Sequence, residues 1–142
     1  MHKRWIFNVE REEHRFEIGK MIQETGIFWE AVEVLDNDEI GYSFAVYQAF
    51  EDDSEEAVSR LKEKIKEGLS KKFIKKTVFA GRESLSFSED TAEGKIEWND
   101  NYDGRIPKFK IDGKEYTAEQ MGQILMGYEG WKFELRIKEP TD

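Results

Sequence analysis

The stretch IGYSFAVYQAF, residues 40–50, carries the clearest pattern in the chain. Apolar side chains occupy alternate positions from Ile40 to Phe50, and Gln48 is the one interruption. Successive side chains of a β-strand point to opposite faces, so this period of two predicts a strand with one apolar face. Residues 27–35 also predict a strand, and the polar residues 36–39 between the two predict a hairpin.

The segment 1–25 is poorly defined by its sequence. Aromatic and aliphatic residues alternate over 5–9 and over 16–18, which indicates two short strands. The residues between them are almost wholly charged, so a helix over residues 11–23 is the competing prediction.

Strand signals return in the second half of the chain. Asp112-Gly113 separates two short extended runs, and this pair favours a hairpin turn in which both residues have positive φ. Alternation of apolar and charged residues over 131–138 predicts a last strand. Its apolar positions are Trp131, Phe133, Leu135 and Ile137. Shorter strand candidates lie at residues 77–80, 85–87 and 95–98.

Two helices are predicted from capping residues and apolar spacing. Asp53 is expected to cap the first helix, with Glu56 in the reciprocal position. The apolar stripe of this helix is Ala57, Val58, Leu61, Ile65 and Leu69. Thr117 and Gln120 form a second capping box before a helix over residues 118–126. The inward residues of that helix are Met121, Ile124 and Leu125, and Gly127 is expected to end it in the left-handed conformation.

These elements predict an α+β fold. Its sheet is mainly antiparallel, with one long and one short amphipathic helix packed on it. A length of 142 residues fits a single domain over residues 1–142. We expect residues 139–142 to form a frayed tail.

The composition excludes several kinds of site and partner. The chain has no cysteine, so it has no disulfide, thiolate metal site or thiol nucleophile. It shows no secretory signal and no stretch that could span a membrane, and we expect a cytoplasmic protein. The net charge of −9 disfavours nucleic acid as a partner, because phosphate binding needs cations.

No catalytic or metal-binding signature is present. Residues 99–104 partly fit a calcium loop, but residue 99 is Asn and residue 110 is Lys where such a loop needs acids. Glu97, Asp103 and Glu129 would serve a hydrolase only if the fold paired two of them. We therefore predict no catalytic residue, no metal and no cofactor.

A basic run lies within residues 54–76. This segment contains eight basic and four acidic residues, and the basic ones lie between Arg60 and Lys76. One interpretation is a docking face for an acidic partner or nucleic acid. The other is an ordinary solvated helix face.

Aromatic residues are concentrated near predicted turns in the second half. They are Trp98, Tyr102, Tyr128 and Trp131, and charged residues stand beside them. If the strand ends converge, these rings would line a groove suited to protein or ligand recognition. Otherwise the rings cover the core or a sheet edge.

The stretches GKIEWND, DGRIPKF and IDGKEYTAEQMGQILMGYEGWKFELRI resemble a family of bacterial conserved domains of unknown function. The resemblance is looser over residues 26–74 and does not extend to the segment 1–25. It implies a bacterial intracellular protein and carries no known activity. The candidate binding residues that it marks are Trp98, Asp103, Gly104, Arg105, Tyr128, Glu129, Gly130 and Trp131.

Three functions stay open at this point. The first is a non-enzymatic interaction module that binds another protein through the aromatic and charged surface or a sheet edge. The second is an acidic inhibitor or immunity-type protein that masks a basic partner. The third is a small hydrolase or ligand-processing domain that uses carboxylates.

Overall fold

The structure, a computed structural model, describes residues 3–142, so residues 1 and 2 of the predicted N-terminal segment lie outside it. Contacts divide the described chain into two compact units. The first comprises residues 3–70 with Arg136–Asp142, and the second comprises Lys71–Leu135. The single domain predicted over residues 1–142 stays a prediction, because compact units of this size can still fold together.

The first unit contains a four-stranded antiparallel sheet in the order β1-β2-β3-β4. Its strands are β1 (Lys3–Val9), β2 (Glu12–Ile22), β3 (Ile27–Val34) and β4 (Ile40–Gln48). The two N-terminal strands are thereby confirmed, and the competing helix over residues 11–23 is wrong. Glu10 and Arg11, with φ of 51° and 67°, form the turn between β1 and β2.

One helix, α1 (Ser54–Ser70), packs against this sheet. Asp53 Oδ1 accepts a hydrogen bond from the Glu55 N–H at 3.0 Å, which confirms Asp53 as the cap. Four residues of the predicted stripe are buried, namely Ala57, Leu61, Ile65 and Leu69, and the fifth, Val58, is half-buried. Each fully buried Leu or Ile stabilises the fold by about 1.5–3 kcal/mol. Gly68 admits the ring of Phe44 where a Cβ would stand, so this glycine serves packing and does not end the helix.

Gln48, which interrupts the apolar alternation of β4, is 2% exposed. Its Oε1 accepts a hydrogen bond from the Trp29 indole N–H at 2.8 Å, and its Nε2 donates to the Asp52 carbonyl at 2.9 Å. A buried amide needs such partners, since an unsatisfied polar group costs about 1–3 kcal/mol. The interruption is therefore a satisfied core residue.

A second buried polar pair joins β2 to β3. His14 Nδ1 and Glu33 Oε2 are 2.5 Å apart, and the Tyr42 N–H donates to Glu33 Oε1 at 3.1 Å. A Cβ at Gly41 would overlap Glu33 Oε1, so glycine makes room for the carboxylate. The sequence did not predict this pair, because His and Glu are residue types that seldom lie fully buried.

The second unit contains two further antiparallel sheets. One is a hairpin of β5 (Ile74–Phe79) and β6 (Arg82–Phe87), which is longer than the short strands predicted there. The other contains β7 (Lys95–Glu97), β8 (Lys108–Ile111) and β9 (Lys114–Thr117).

Asp112 has a structural role beyond its turn. Asp112 and Gly113 have φ of 56° and 75°, which confirms the predicted hairpin turn between β8 and β9. The Asp112 carboxylate also accepts hydrogen bonds from the N–H groups of Phe73 and Ile74, each at 2.9 Å. The turn is thereby held against the start of β5.

A short helix, α2 (Ala118–Met126), follows β9 and begins with the predicted capping box. Thr117 Oγ1 accepts a hydrogen bond from the Gln120 N–H at 3.1 Å, and Gln120 Oε1 accepts one from the Thr117 N–H at 2.8 Å. These bonds satisfy two N–H groups that the helix itself leaves without partners.

The far end of α2 differs from the prediction in two respects. Ile124 is buried as expected, but Leu125 is 52% exposed and does not point inward. Gly127 has a right-handed φ of −63°, so its predicted left-handed conformation is wrong. Gly130 adopts that conformation instead, with φ of 87°.

Within residues 3–142, no helix or strand is assigned after α2. The last strand predicted over residues 131–138 is therefore wrong. All residues of this stretch are exposed, the apolar ones included. The apolar residues are between 64% and 89% exposed: Trp131, Phe133, Leu135 and Ile137. An alternating sequence indicates on which side each side chain would lie in a strand, whereas a strand also requires hydrogen bonds to a neighbouring strand. Residues 139–142 form a turn in which the Asp142 N–H donates to the Glu139 carbonyl at 3.0 Å.

The described elements make the protein α+β with antiparallel pairing, which confirms the predicted fold class. The division of the strands among three sheets was not predicted. No helix in the described chain has the length and apolar character needed to cross a bilayer.

Candidate binding surface

The eight candidate residues lie in the second unit and fall into two groups. The Trp98 loop, residues 98–107 between β7 and β8, contains Trp98, Asp103, Gly104 and Arg105. The Tyr128 turn, residues 128–131 after α2, contains Tyr128, Glu129, Gly130 and Trp131.

The backbone of the Trp98 loop reverses direction within a few residues. The Asn99 side chain accepts a hydrogen bond from the Asn101 N–H at 3.1 Å at the start of a short 3₁₀ helix, Asp100–Tyr102. Asp103 and Gly104 then have φ of 49° and 75°. Asp and Gly tolerate this conformation better than most residues, which accounts for the composition that partly fits a calcium loop. In the described chain, no group of three His, Asp or Glu side chains is placed to hold a metal ion.

Trp98 is held in one orientation although it is exposed. Its indole N–H donates to Asp100 Oδ1 at 2.7 Å, and its six-membered ring lies over Gly104. A Cβ at residue 104 would overlap the ring, so glycine is required for this contact. The side chain nevertheless remains 64% exposed. The loop therefore presents a large apolar surface at a fixed position.

Other exposed groups lie on the same strand and loop. Ile96 lies in β7 and is 58% exposed, and Trp98 directly follows the end of this strand. Tyr102 is 43% exposed. Its carbonyl accepts hydrogen bonds from the N–H and the Nε–H of Arg105, at 3.0 and 3.1 Å. We define the Trp98 surface as Ile96, Trp98, Tyr102 and Arg105.

Paired charges lie on the opposite side of β7. The Glu97 carboxylate is 3.8 Å from Lys110 Nζ, and the Lys110 side chain is 8% exposed. Lys108 donates a hydrogen bond to Glu115 at 2.9 Å, which raises the pKa of Lys108 and lowers the pKa of Glu115. Glu97 thus offsets a buried ammonium group, and this structural role accounts for its presence.

The Tyr128 turn packs on the end of β6. The Tyr128 ring stacks on Phe87 with centroids 5.8 Å apart, and the Phe87 N–H donates to the Tyr128 hydroxyl at 3.0 Å. Trp131 meets the Tyr128 ring edge-on at 5.3 Å and is 64% exposed. Glu129 is exposed, and the left-handed Gly130 lies between the two rings in sequence. Tyr128 therefore has a packing role, whereas Trp131 is open at the surface.

None of the ring contacts described within residues 3–142 joins the Trp98 loop to the Tyr128 turn, and the aromatic groove expected from the sequence stays a prediction. Two residues that support or extend the Trp98 surface were not among the candidates predicted from the sequence. Asp100 fixes the indole of Trp98, and Ile96 is an exposed apolar residue two positions before it. The alternation of Ile96 and Trp98 in the sequence could have identified Ile96. The role of Asp100 depends on the conformation of the loop, which the sequence does not show.

The structure has two described depressions, and the carboxylates named for a hydrolase do not line either of them. Their volumes are about 470 and 300 Å³, and both lie in the first unit. Neither is lined by Glu97, Asp103 or Glu129. The hydrolase alternative stays a prediction.

Two family models match consecutive parts of the chain. Residues 7–70 match the model described as Domain of unknown function (DUF7686), and residues 73–142 match Domain of unknown function (DUF7713). The first match ends at Ser70, where the structure passes from the first unit to the second. No curated protein and no solved structure gives a significant match. The expected resemblance to uncharacterised domains is thereby confirmed.

Proposed function

We propose that this chain, whose two parts match models of domains of unknown function, is a non-enzymatic protein-interaction module of the bacterial cytoplasm. Its partner is another protein, bound through the Trp98 surface. The exposed but immobilised ring of Trp98 is the observation that carries this proposal.

Residue types and rigidity both favour the Trp98 surface for recognition. Trp, Tyr and Arg are the types that most often dominate the binding energy of protein interfaces. Association costs about 0.5–1.5 kcal/mol for each flexible side chain that becomes immobilised. Asp100 and Gly104 already fix the indole of Trp98, so this cost is reduced before a partner arrives.

The compartment and origin are part of the proposal. A chain without cysteine is compatible with a reducing cytoplasm, where structural disulfides are rare. The bacterial origin is supported by the sequence resemblance over the second half of the chain.

Co-purification from the native host tests the proposal. Wild type, Trp98→Ala and Phe50→Ala serve as baits in equal amounts, and far-UV circular dichroism checks that each variant folds. Phe50 is a matched control because it is 52% exposed and lies in the first unit. We expect one protein, identified by mass spectrometry, to be retained by wild type and Phe50→Ala and lost with Trp98→Ala. Equal retention by all three baits would contradict the proposal.

The salt dependence of retention separates this function from the inhibitor alternative. A net charge of −9 would attract a strongly basic partner over long range, and salt would screen that attraction. If a basic partner is released by moderate salt, and if Trp98→Ala does not change its retention, the result would favour an acidic inhibitor. An apolar contact through Trp98 predicts that the partner is retained in moderate salt and lost with Trp98→Ala.

A further inference from the structure

The basic run noted within residues 54–76 does not form one helix face. α1 ends at Ser70, and Lys75 and Lys76 belong to β5 in the second unit. The stretch 71–83, which covers most of the β5–β6 hairpin, contains a single acidic residue, Glu83. Its basic residues are Lys71, Lys72, Lys75, Lys76 and Arg82.

The β5–β6 hairpin is open to solvent along most of its length. Every residue from 75 to 84 is exposed, and Val78 and Phe79 near the turn are 62% and 83% exposed. The hairpin pairs with no third strand among the described residues, and an isolated two-stranded hairpin is marginally stable at best. An exposed element with an apolar tip is typical of an interaction site.

The two faces of this hairpin carry different chemistry. Directly opposed residues share a face, and the opposed pairs Lys75 with Ser86, Thr77 with Ser84, and Phe79 with Arg82 form what we call the open face. It holds two cations, three hydroxyls and one aromatic ring, and no carboxylate. Glu83 lies on the other face, where its carboxylate is 2.9 Å from Lys76 Nζ.

We propose that the open face binds an acidic segment of a partner protein that also carries apolar side chains. Lys75 and Arg82 supply positive charge, and no ion pair of either residue is described within 3–142. The hydroxyls of Thr77 and Ser84 add hydrogen-bond donors for carboxylates. Phe79 supplies the apolar contact. Between the contacts of Ile74 and Phe87 and the turn, no third strand is described along the hairpin within residues 3–142, so an extended segment can add there as a further strand.

A protein segment fits this face better than nucleic acid does. Phosphate binding gains its strength from many cations, and the open face has two. The chain as a whole carries a net charge of −9, which repels a polyanion at long range. A short acidic segment carries few negative charges, so the chain repels it less. The inference is independent of the Trp98 surface, because different residues carry it.

Fluorescence anisotropy with the full chain tests the inference. The probe is a labelled nine-residue peptide of alternating Glu and Leu, compared with the same peptide carrying Gln for Glu and with a deoxythymidine decamer. We expect the Glu peptide to bind more tightly than both, and the binding to weaken with added salt. Lys75→Ala with Arg82→Ala should weaken it roughly three- to tenfold, in keeping with two exposed charge pairs.

Matched variants make the outcome specific. Phe79→Ala should weaken peptide binding, whereas Lys76→Ala, on the other face, and Trp98→Ala should leave it unchanged. The inference is overturned if the decamer binds as tightly as the Glu peptide, if neither peptide binds, or if Lys76→Ala has the effect of the double variant. Failure here leaves the Trp98 co-purification result untouched, so the two proposals can fail separately.

Discussion

The six-membered ring of Trp98 occupies the space where a side chain of Gly104 would begin. Gly104 also has a φ of 75°, a conformation that costs other residues about 1–2 kcal/mol. Gly81 has nearly the same φ, 76°, but no heavy atom lies within 4 Å of its Cβ position. Comparison of alanine at these two positions therefore separates backbone strain from displacement of the ring.

Gly104→Ala should release the indole of Trp98, whereas Gly81→Ala should leave it fixed. ¹⁵N relaxation of the Trp98 indole N–H measures this directly. We expect an order parameter near that of rigid backbone, roughly 0.85, in wild type and Gly81→Ala, and a value below about 0.6 in Gly104→Ala. A mobile indole in the wild-type protein would show that Asp100 and Gly104 do not hold the ring.

Glu33→Ala should destabilise the first unit. The substitution leaves His14 Nδ1 and the Tyr42 N–H without their buried partner, and each lost partner costs about 1–3 kcal/mol. Amide hydrogen exchange at Tyr42 should accelerate accordingly. Glu30→Ala, on the opposite face of β3, is the control and should change exchange little. Equal effects of the two substitutions would mean that the buried pair does not stabilise the sheet.

Asp112→Ala should loosen the start of β5. The variant loses the acceptors of the Phe73 and Ile74 N–H groups, so exchange at these two amides should become faster by about tenfold or more. Asp112→Asn keeps an acceptor oxygen and tolerates the positive φ, so it should lie between wild type and Asp112→Ala. Unchanged exchange in both variants would contradict a role for this carboxylate.

The Lys108–Glu115 pair predicts a small pH dependence. The folded pKa of Glu115 is below its ordinary value of 4.5, so its contribution is present above that value and is lost as the pH falls through the folded pKa. The folded pKa of Lys108 is above 10.5, so the same contribution is lost as the pH rises through it.

Urea unfolding of Glu115→Gln checks this dependence. Near neutral pH the variant should lose a few tenths of a kcal/mol, because solvent screens an exposed pair. The difference from wild type should vanish in strong acid, while Glu24→Gln, an exposed loop control, should change the stability near neutral pH little. A larger loss in acid than at neutral pH has the wrong sign and would reject the pairing.

Local signals in the sequence were sufficient where neighbouring residues determine the structure. The Asp112-Gly113 turn, the Thr117–Gln120 capping box and the stripe of α1 all depend on residues within a turn or two of each other. Each was predicted with its residues correctly placed, because conformational preference and apolar spacing are encoded locally.

Features that depend on distant partners could not be predicted in the same way. Alternation over 131–138 resembles that of β4, but only a neighbouring strand supplies a ladder, and none is assigned there. Gln48 interrupts the alternation in the sequence, and only the structure shows that its partner is Trp29. The burial of Glu33 likewise depends on His14. At the Trp98 surface, the sequence identified Trp98, Gly104 and Arg105 but not the hydrogen bond to Asp100 that fixes the ring.

Calorimetric titration of the co-purified partner against wild type, Trp98→Ala and Phe50→Ala tests the binding role of Trp98 most directly. We expect Trp98→Ala to weaken the affinity at least about thirtyfold, which corresponds to a hot spot of roughly 2 kcal/mol, while Phe50→Ala binds as wild type does. A folded Trp98→Ala variant that binds within twofold of wild type, by about 0.4 kcal/mol or less, would contradict the account.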